Sequence, residues 1–198
     1  ALSSSGTDTY SAIAGAVGSL KGPLHGGANA KVMEMFRYVK ENVNPKDDGS
    51  IRDYLAKLLN KEAGDHSGKI YGLGHAVYTI SDPRAVLLKK YAKHMAEIKG
   101  YAEDFQLLEK IEEMGIPMIQ AKTGSEIPMC ANVDMYSGLV YRSLGINPDL
   151  FTPLFAVARM PGWCAHRIEE LLTGGRIIRP AYKSLSVRQP YIPLDQRK

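Results

Sequence analysis

His25, in Gly22-Pro23-Leu24-His25-Gly26-Gly27-Ala28-Asn29, and His75, in Gly72-Leu73-Gly74-His75-Ala76-Val77-Tyr78, are two imidazoles set among glycines. Glycine beside a ring lets main chain, and therefore a ligand, come close to it. A lone carboxylate follows later, in Asn132-Val133-Asp134-Met135-Tyr136-Ser137-Gly138. Imidazole donates, accepts or passes a proton near neutral pH, so two of them can polarise two carbonyls. A carboxylate nearby can act as a base towards carbon once its surroundings tune its pKa. Two electrophilic histidines and one carboxylate base suit enolisation of one substrate and its attack on another. Taken singly each residue has a plainer role, the histidines as caps or turn residues and Asp134 as the opening of a helix. The combination reads as a site.

Arginine is the natural partner for a dicarboxylate, because its planar fork binds a carboxylate through two bonds. Arg84 follows Asp82-Pro83, Arg159 ends the apolar run Leu154-Phe155-Ala156-Val157-Ala158, and Arg179 precedes Pro180. A charge directly after an apolar run is expected to be partly buried; a helix C-cap is the alternative for Arg159. Other chemistries fail on their motifs. Gly72-Leu73-Gly74 opens like a dinucleotide fingerprint, but Val77 stands at the third glycine position and no strand precedes it. His25-Gly26-Gly27 resembles an esterase oxyanion loop, yet the chain has no G-x-S-x-G elbow. His66, His94 and His166 lack metal-ligand spacing, so no metal is expected.

The 198 residues suffice for one domain or two small ones with a real core. With 44% hydrophobic and 23% charged residues, the composition is that of a soluble globular protein. The formal charge of +4 is spread along the chain, without the dense basic run that tracks nucleic acid, so anionic small substrates are the better expectation. The two cysteines, Cys130 and Cys164, have no paired spacing. The small-apolar run from Ile13 to Leu20 is too short for a bilayer and lacks a positive leader, so neither a membrane partner nor a signal peptide is expected; the expected location is cytoplasmic. The opening Ala1-Leu2-Ser3-Ser4-Ser5 has no methionine and leads into a helix rich in Ala and Gly. A piece of a longer protein would begin this way, as would a chain whose initiator methionine was removed.

These groups need rigid elements to hold them. Asp8 is expected to cap a helix from Thr9 to Lys21, stopped by Gly22-Pro23, with His25 at its end or in the following turn. Val32, Met35, Phe36 and Val39 predict a helix over Ala30–Glu41. Ser50 is expected to cap the next, whose buried stripe is Ile51, Leu55, Leu58 and Leu59. Gly68 to Pro83 reads as a loop carrying His75. Helices are expected over Arg84–Ile98 and Glu103–Met114, with Pro117 and Pro128 bracketing a connection. Asp134 opens a helix that continues to Leu144. Two more are expected over Asp149–Arg159 and Gly162–Leu172, separated by Pro161, and the tail from Gly174 is expected to be extended. No alternation long enough for a sheet is present. The expected fold class is all-α.

In order along the chain, Gly22 to Asn29, Gly72 to Tyr78 with Asp82-Pro83-Arg84, Asn132 to Gly138, Leu154 to Arg159, Gly162-Trp163-Cys164-Ala165-His166 and Arg179-Pro180 closely resemble the citrate synthase family. The resemblance implies a helical large domain and a small domain that closes over the substrates. It divides the chain into a large-domain segment at 1–29, a small domain at 30–137 and a second large-domain segment at 138–198. It implies that Asp134 deprotonates the acetyl-CoA methyl, that His25 stabilises the enol, and that His75 polarises the oxaloacetate carbonyl. Arg84, Arg159 and a neighbouring subunit's Arg179 would hold carboxylates, and Phe155 would pack near the acetyl group. Ile70, Tyr71, Gly72, Leu73 and Gly74 would meet the adenine of CoA. Acetyl-CoA is then a substrate, no cofactor is implied, and the complete protein would be a homodimer of the tricarboxylic acid cycle. The family's further oxaloacetate histidine lies upstream of the matching segment, so roughly the N-terminal half of the family's length has no counterpart here. Thr79 stands where many members have a basic residue for a CoA phosphate. A 2-methylcitrate synthase, a citryl-CoA lyase module and a non-catalytic regulatory or assembly module share the pattern and stay open as alternatives.

Overall fold

Asp8 accepts a hydrogen bond from the Ser11 N–H (2.9 Å) and so starts helix α1, Thr9–Leu20. The computed structural model describes residues 2–22, 25–181 and 190–197, so Pro23 and Leu24 of the first histidine motif lie outside it. The helices that follow are α2 (Ala28–Asn42), α3 (Asp48–Leu59), α4 (Pro83–Lys99), α5 (Ala102–Thr123), α6 (Asp134–Ser143) and α7 (Phe151–Thr173). Short 3₁₀ turns occupy Ser3–Ser5, Pro148–Leu150 and Leu194–Gln196. Among the described residues the one β feature is an isolated antiparallel bridge between Leu73 and Ala131, so the all-α reading holds. Among the described residues no helix is long and apolar enough to cross a membrane.

Three local expectations are corrected. Ser50 does not cap α3. Asp47 does, accepting from the Gly49 N–H (2.9 Å), while Ser50 Oγ lies inside the helix and accepts from the Asn44 N–H (3.1 Å). Pro117 does not end α5, and Pro161 does not divide the last helix; both sit inside continuous helices. A helical proline loses its bond to the carbonyl four residues earlier. Here those carbonyls belong to Glu113 and Val157, and all four residues are exposed, so water can satisfy the freed oxygens. Arg159 is accordingly a mid-helix residue, partly buried as expected, and not a C-cap.

The core is built by α2 to α6. Val39, Ile51, Leu55, Leu108, Ile111, Met135, Tyr136 and Leu139 are essentially inaccessible and form one cluster. Each large apolar side chain buried this way contributes about 1.5–3 kcal/mol. α6 packs on α4 and α2, α3 packs on α5, and α4 packs on α5. Two polar clusters fasten this bundle. Asp104 on α5 accepts from Lys40 on α2 and from Arg142 on α6 (3.1 Å). Tyr136 on α6 donates to Glu112 on α5, and Lys89 on α4 pairs with Glu112 (2.8 Å) while lying 5.3 Å from the Tyr136 ring. α1 and α7 pack chiefly on each other, outside this cluster.

Candidate active site

The loop between α3 and α4 has no helix of its own and is held by main-chain pairing. Gly74 N–H donates to the Cys130 carbonyl (2.8 Å) and Asn132 N–H to the Gly72 carbonyl (2.9 Å). The Asn132 amide adds a bond to the Gly74 carbonyl (2.9 Å), and its oxygen accepts from the Asp134 N–H (3.0 Å). Gly72 and Gly74 have φ of +87° and +89°, a backbone region that L-residues rarely adopt. A Cβ on Gly72 would come within 2.8 Å of Met135 Sδ and 3.1 Å of its Cα. The His75 loop is thereby clipped onto the strip that opens α6 with Asp134.

His75 Nδ1 accepts from the N–H groups of Val77 and Tyr78, both at 3.0 Å. Nδ1 is therefore unprotonated, and the proton of the neutral ring sits on Nε2. Arg84 Nη2 lies 3.3 Å from that Nε2. Two donors side by side converge on a shared acceptor, which a substrate oxygen can be. Arg84 is held from below by Asp82, the N-cap of α4. One Asp82 oxygen takes the Arg84 backbone N–H and Nε (3.0 Å each), and the other takes Nη2 (2.8 Å). Burial would raise the Asp82 carboxyl, but these charge-assisted bonds outweigh it and hold its pKa below the ordinary carboxylate value. The Tyr78 ring packs 4.8 Å from His75 and 5.6 Å from the Arg84 guanidinium.

α7 supplies the facing side. Its Phe155 and Arg159, one turn apart, stack with the guanidinium carbon 3.6 Å from the ring centroid. The His25 ring, in the turn before α2, lies 6.0 Å from Phe155 at an interplanar angle of 55°. Asp134 sits between the two sides. Burial raises its pKa, against the pull of the positive charges of Arg84, His25 and Arg159. Arg159 is lowered by burial and by the like charge of Arg84, with Asp134 opposing. Two guanidiniums that repel each other around one buried carboxylate favour an anionic ligand.

A cavity of about 440 Å³ is lined by Asp134 and Asn132, by Ile70, Tyr71, Gly72 and Leu73, and by Lys69 and Lys122. Four of the five residues expected to meet CoA line it; Gly74 is paired to the 130–132 strip instead. His25, His75, Asp134, Arg84, Arg159 and Phe155 are brought together. Arg179 is exposed on the extended stretch after α7, beside Ile178, whose N–H donates to Ser4 Oγ (2.9 Å); no described contact links it to the His75–Arg84–Asp134 group. Sequence reasoning passed over Asp82 and Asn132 as site residues. Asp82-Pro83 carries a signal for the first, an acidic N-cap followed by proline at the first helical position. Among the described residues no group of three His, Cys, Asp or Glu side chains could hold a metal ion.

A profile of the family described as "Citrate synthase, C-terminal domain" matches residues 1–181. The citrate synthase of Deinococcus radiodurans is 41% identical over 200 aligned residues, which take in 100% of this chain and 48% of that protein. Citrate synthase 2 of Bacillus subtilis is 42% identical over 193 residues, 96% of this chain and 46% of that one. The crystal structure of the Thermotoga maritima citrate synthase matches with a TM-score of 0.73 at 36% identity, covering 100% of this chain and 49% of that one. The Thermoplasma acidophilum citrate synthase, solved as a ternary complex with carboxymethyl coenzyme A and oxaloacetate, matches at 0.73 and 32% identity over 98% of this chain and 48% of its own. The chain thus spans about half the length of the relatives it matches. With its helical fold and clustered histidines, carboxylate and arginines, the chain belongs to the citrate synthase family and corresponds to the C-terminal domain of its members.

Proposed function

We propose that this chain carries the condensing site for acetyl-CoA and oxaloacetate, forming citrate and CoA. The observation that carries the reading is the placement of Asp134 in the lining of the 440 Å³ cavity, with Arg84, His25 and Arg159 acting on its charge. The Asp134 carboxylate removes a proton from the acetyl methyl group, and His25 donates a hydrogen bond to the thioester oxygen as the enol forms. The enol carbon attacks the oxaloacetate carbonyl carbon. The alkoxide so formed takes the Nε2 proton of His75, the position that the two bonds to Nδ1 leave protonated. Water then cleaves the thioester of citryl-CoA to release citrate and CoA.

Arg84 and Arg159 hold the oxaloacetate carboxylates, and Phe155 packs against the acyl group. Ile70 to Leu73, which line the cavity, receive the adenine, while Lys69 and Lys122 bring positive charge to the cavity where Thr79 brings none. In the same reading 1–29, 30–137 and 138–198 are the large-domain, small-domain and second large-domain segments, supported by the packing of α1 and α7 on each other outside the core, while α6 and its core residues Leu139 and Val140 run across the 137/138 boundary. Homodimer assembly, with Arg179 reaching a partner's site, belongs to the same reading and is supported by its exposed position. The test is CoA thiol release from acetyl-CoA by the purified chain, with and without oxaloacetate. Oxaloacetate-dependent release is the expected result; release that ignores oxaloacetate removes the reading.

A further inference from the structure

The His25 turn is gripped by two side chains that the chemistry above does not use. Gly26, the residue after His25, is wedged against α1 and α7: a Cβ there would lie 2.2 Å from the Leu20 carbonyl oxygen and 2.9 Å from Thr152 Cγ2. Thr152 Oγ1 donates to the Gly26 carbonyl at 2.6 Å. Thr152 is in the first turn of α7, three residues before Phe155, so its hydroxyl and the Phe155 ring project from the same side of that helix. The grip on Gly26 and the ring that meets His25 are therefore parts of one helical turn.

The second tie runs to α6. Asn29, in the first turn of α2, is buried and donates its amide N–H to Ser137 Oγ. Ser137 is buried too and lies three residues after Asp134, on the same side of α6. The Asn29 amide oxygen has no hydrogen-bond partner among the described residues. A buried, unpaired acceptor works against stability, and an apolar residue of the same volume would avoid the loss. The amide is thus poorly explained by packing and well explained by what it fixes, the distance between the His25 turn and the helix of Asp134.

We propose that Thr152 and Asn29 are positioning residues for His25, setting it against Phe155 on one side and against Asp134 on the other. The inference rests on the reading of His25 as the group that meets the thioester oxygen. It follows that loss of either tie lets the imidazole leave the acyl side of the site while the His75–Arg84 side, held by its own backbone bonds and by Asp82, stays in place. A displacement of about 1 Å in such a group costs between about 10- and 100-fold in the step it serves.

The test compares Thr152→Val, Thr152→Ser, Asn29→Ala and the unaltered chain by proton–carbon NMR of the His25 imidazole, assigned with His25→Gln. The Phe155 ring shifts the His25 signals through its ring current, and Phe155→Leu marks the unshifted position. Thr152→Val and Asn29→Ala are expected to move His25 towards that unshifted position, and Thr152→Ser to restore it. In parallel, binding of carboxymethyl-CoA in the presence of oxaloacetate is expected to weaken about tenfold in the first two variants, with oxaloacetate binding alone unchanged. The proposal is overturned if His25 keeps its shifted signals in Thr152→Val, or if both ligands weaken in step with a falling melting temperature. An unaltered chain that binds neither ligand removes the functional reading, while the NMR result still decides the positioning.

Discussion

His75 and His25 are both histidines beside glycine, yet the chain holds them by different means. Two backbone N–H groups fix the His75 ring, its loop is paired to residues 130–132, and its neighbour Arg84 is locked by three bonds to buried Asp82. All of this rests on the apolar core of α2 to α6. His25 is exposed, meets Phe155 through ring contact, and depends on two side-chain ties to its turn. α7 behind it presents Val157, Ile168, Leu171 and Leu172 to solvent. The His75–Arg84 side is pre-built, and the α7 side, which brings Phe155 for the acyl group and Arg159 for a carboxylate, is assembled from elements with fewer constraints.

The largest effect that would break this comparison is expected at the carboxylate shared by the two sides. Asp134→Asn should lower turnover by about 10³-fold or more, as loss of a positioned base does, while oxaloacetate affinity changes by less than about threefold. Equal loss of both, measured by thiol release and calorimetry, would make Asp134 a binding residue. The same variant has a pH signature. Because burial raises the folded-state pKa of Asp134, ionising it opposes folding as the pH rises from 3.8 through the folded value. Asp134→Asn should therefore melt no lower than the parent at pH 7, with any advantage vanishing below pH 3.8. The acid limb of turnover should lie above that ordinary value.

Next come the supports. Ile111, at 0% exposure in the core under the His75 side, should cost about 2–5 kcal/mol when cut to alanine, read by denaturant melts. Asp82→Asn keeps a helix cap but loses the charge that holds Arg84. Oxaloacetate should bind about tenfold more weakly, and stability should fall by about 1 kcal/mol, a discounted figure because Arg84 is 41% exposed. The smallest effect belongs to α7: Leu172→Ala, at 82% exposure, should stay within about 0.5 kcal/mol. A large loss there would show that α7 is as well buttressed as the core and would erase the contrast between the two sides.

Sequence periodicity and capping chemistry made most of the helices legible, because those signals are local. Asp8 caps α1 by the geometry its residue type favours, and the stripe Ile51, Leu55, Leu58, Leu59 is buried as its spacing requires. The prolines at 117 and 161 misled for a tertiary reason: whether a helical proline is tolerated depends on which way the freed carbonyl faces, and a linear reading does not contain that direction. The site was legible as residue types in a recognisable order. Its supports were not, since Asn132 reaches Gly74 across 58 positions and Thr152 reaches Gly26 across 126.

The clip between residues 72–74 and 130–132 is made of peptide groups and a single amide side chain. Peptide groups are common to every residue type, so Leu73 and Ala131 can be exchanged for others of similar volume without breaking it. Gly72 and Gly74 have less latitude, because their backbone lies in the left-handed region that L-residues rarely adopt. Mutational drift through this segment thus has a fixed grammar: two positions read by chirality, one by its amide, and the remainder by volume alone. Through that pairing the loop that carries His75 and the helix that opens with Asp134 stay joined as one unit.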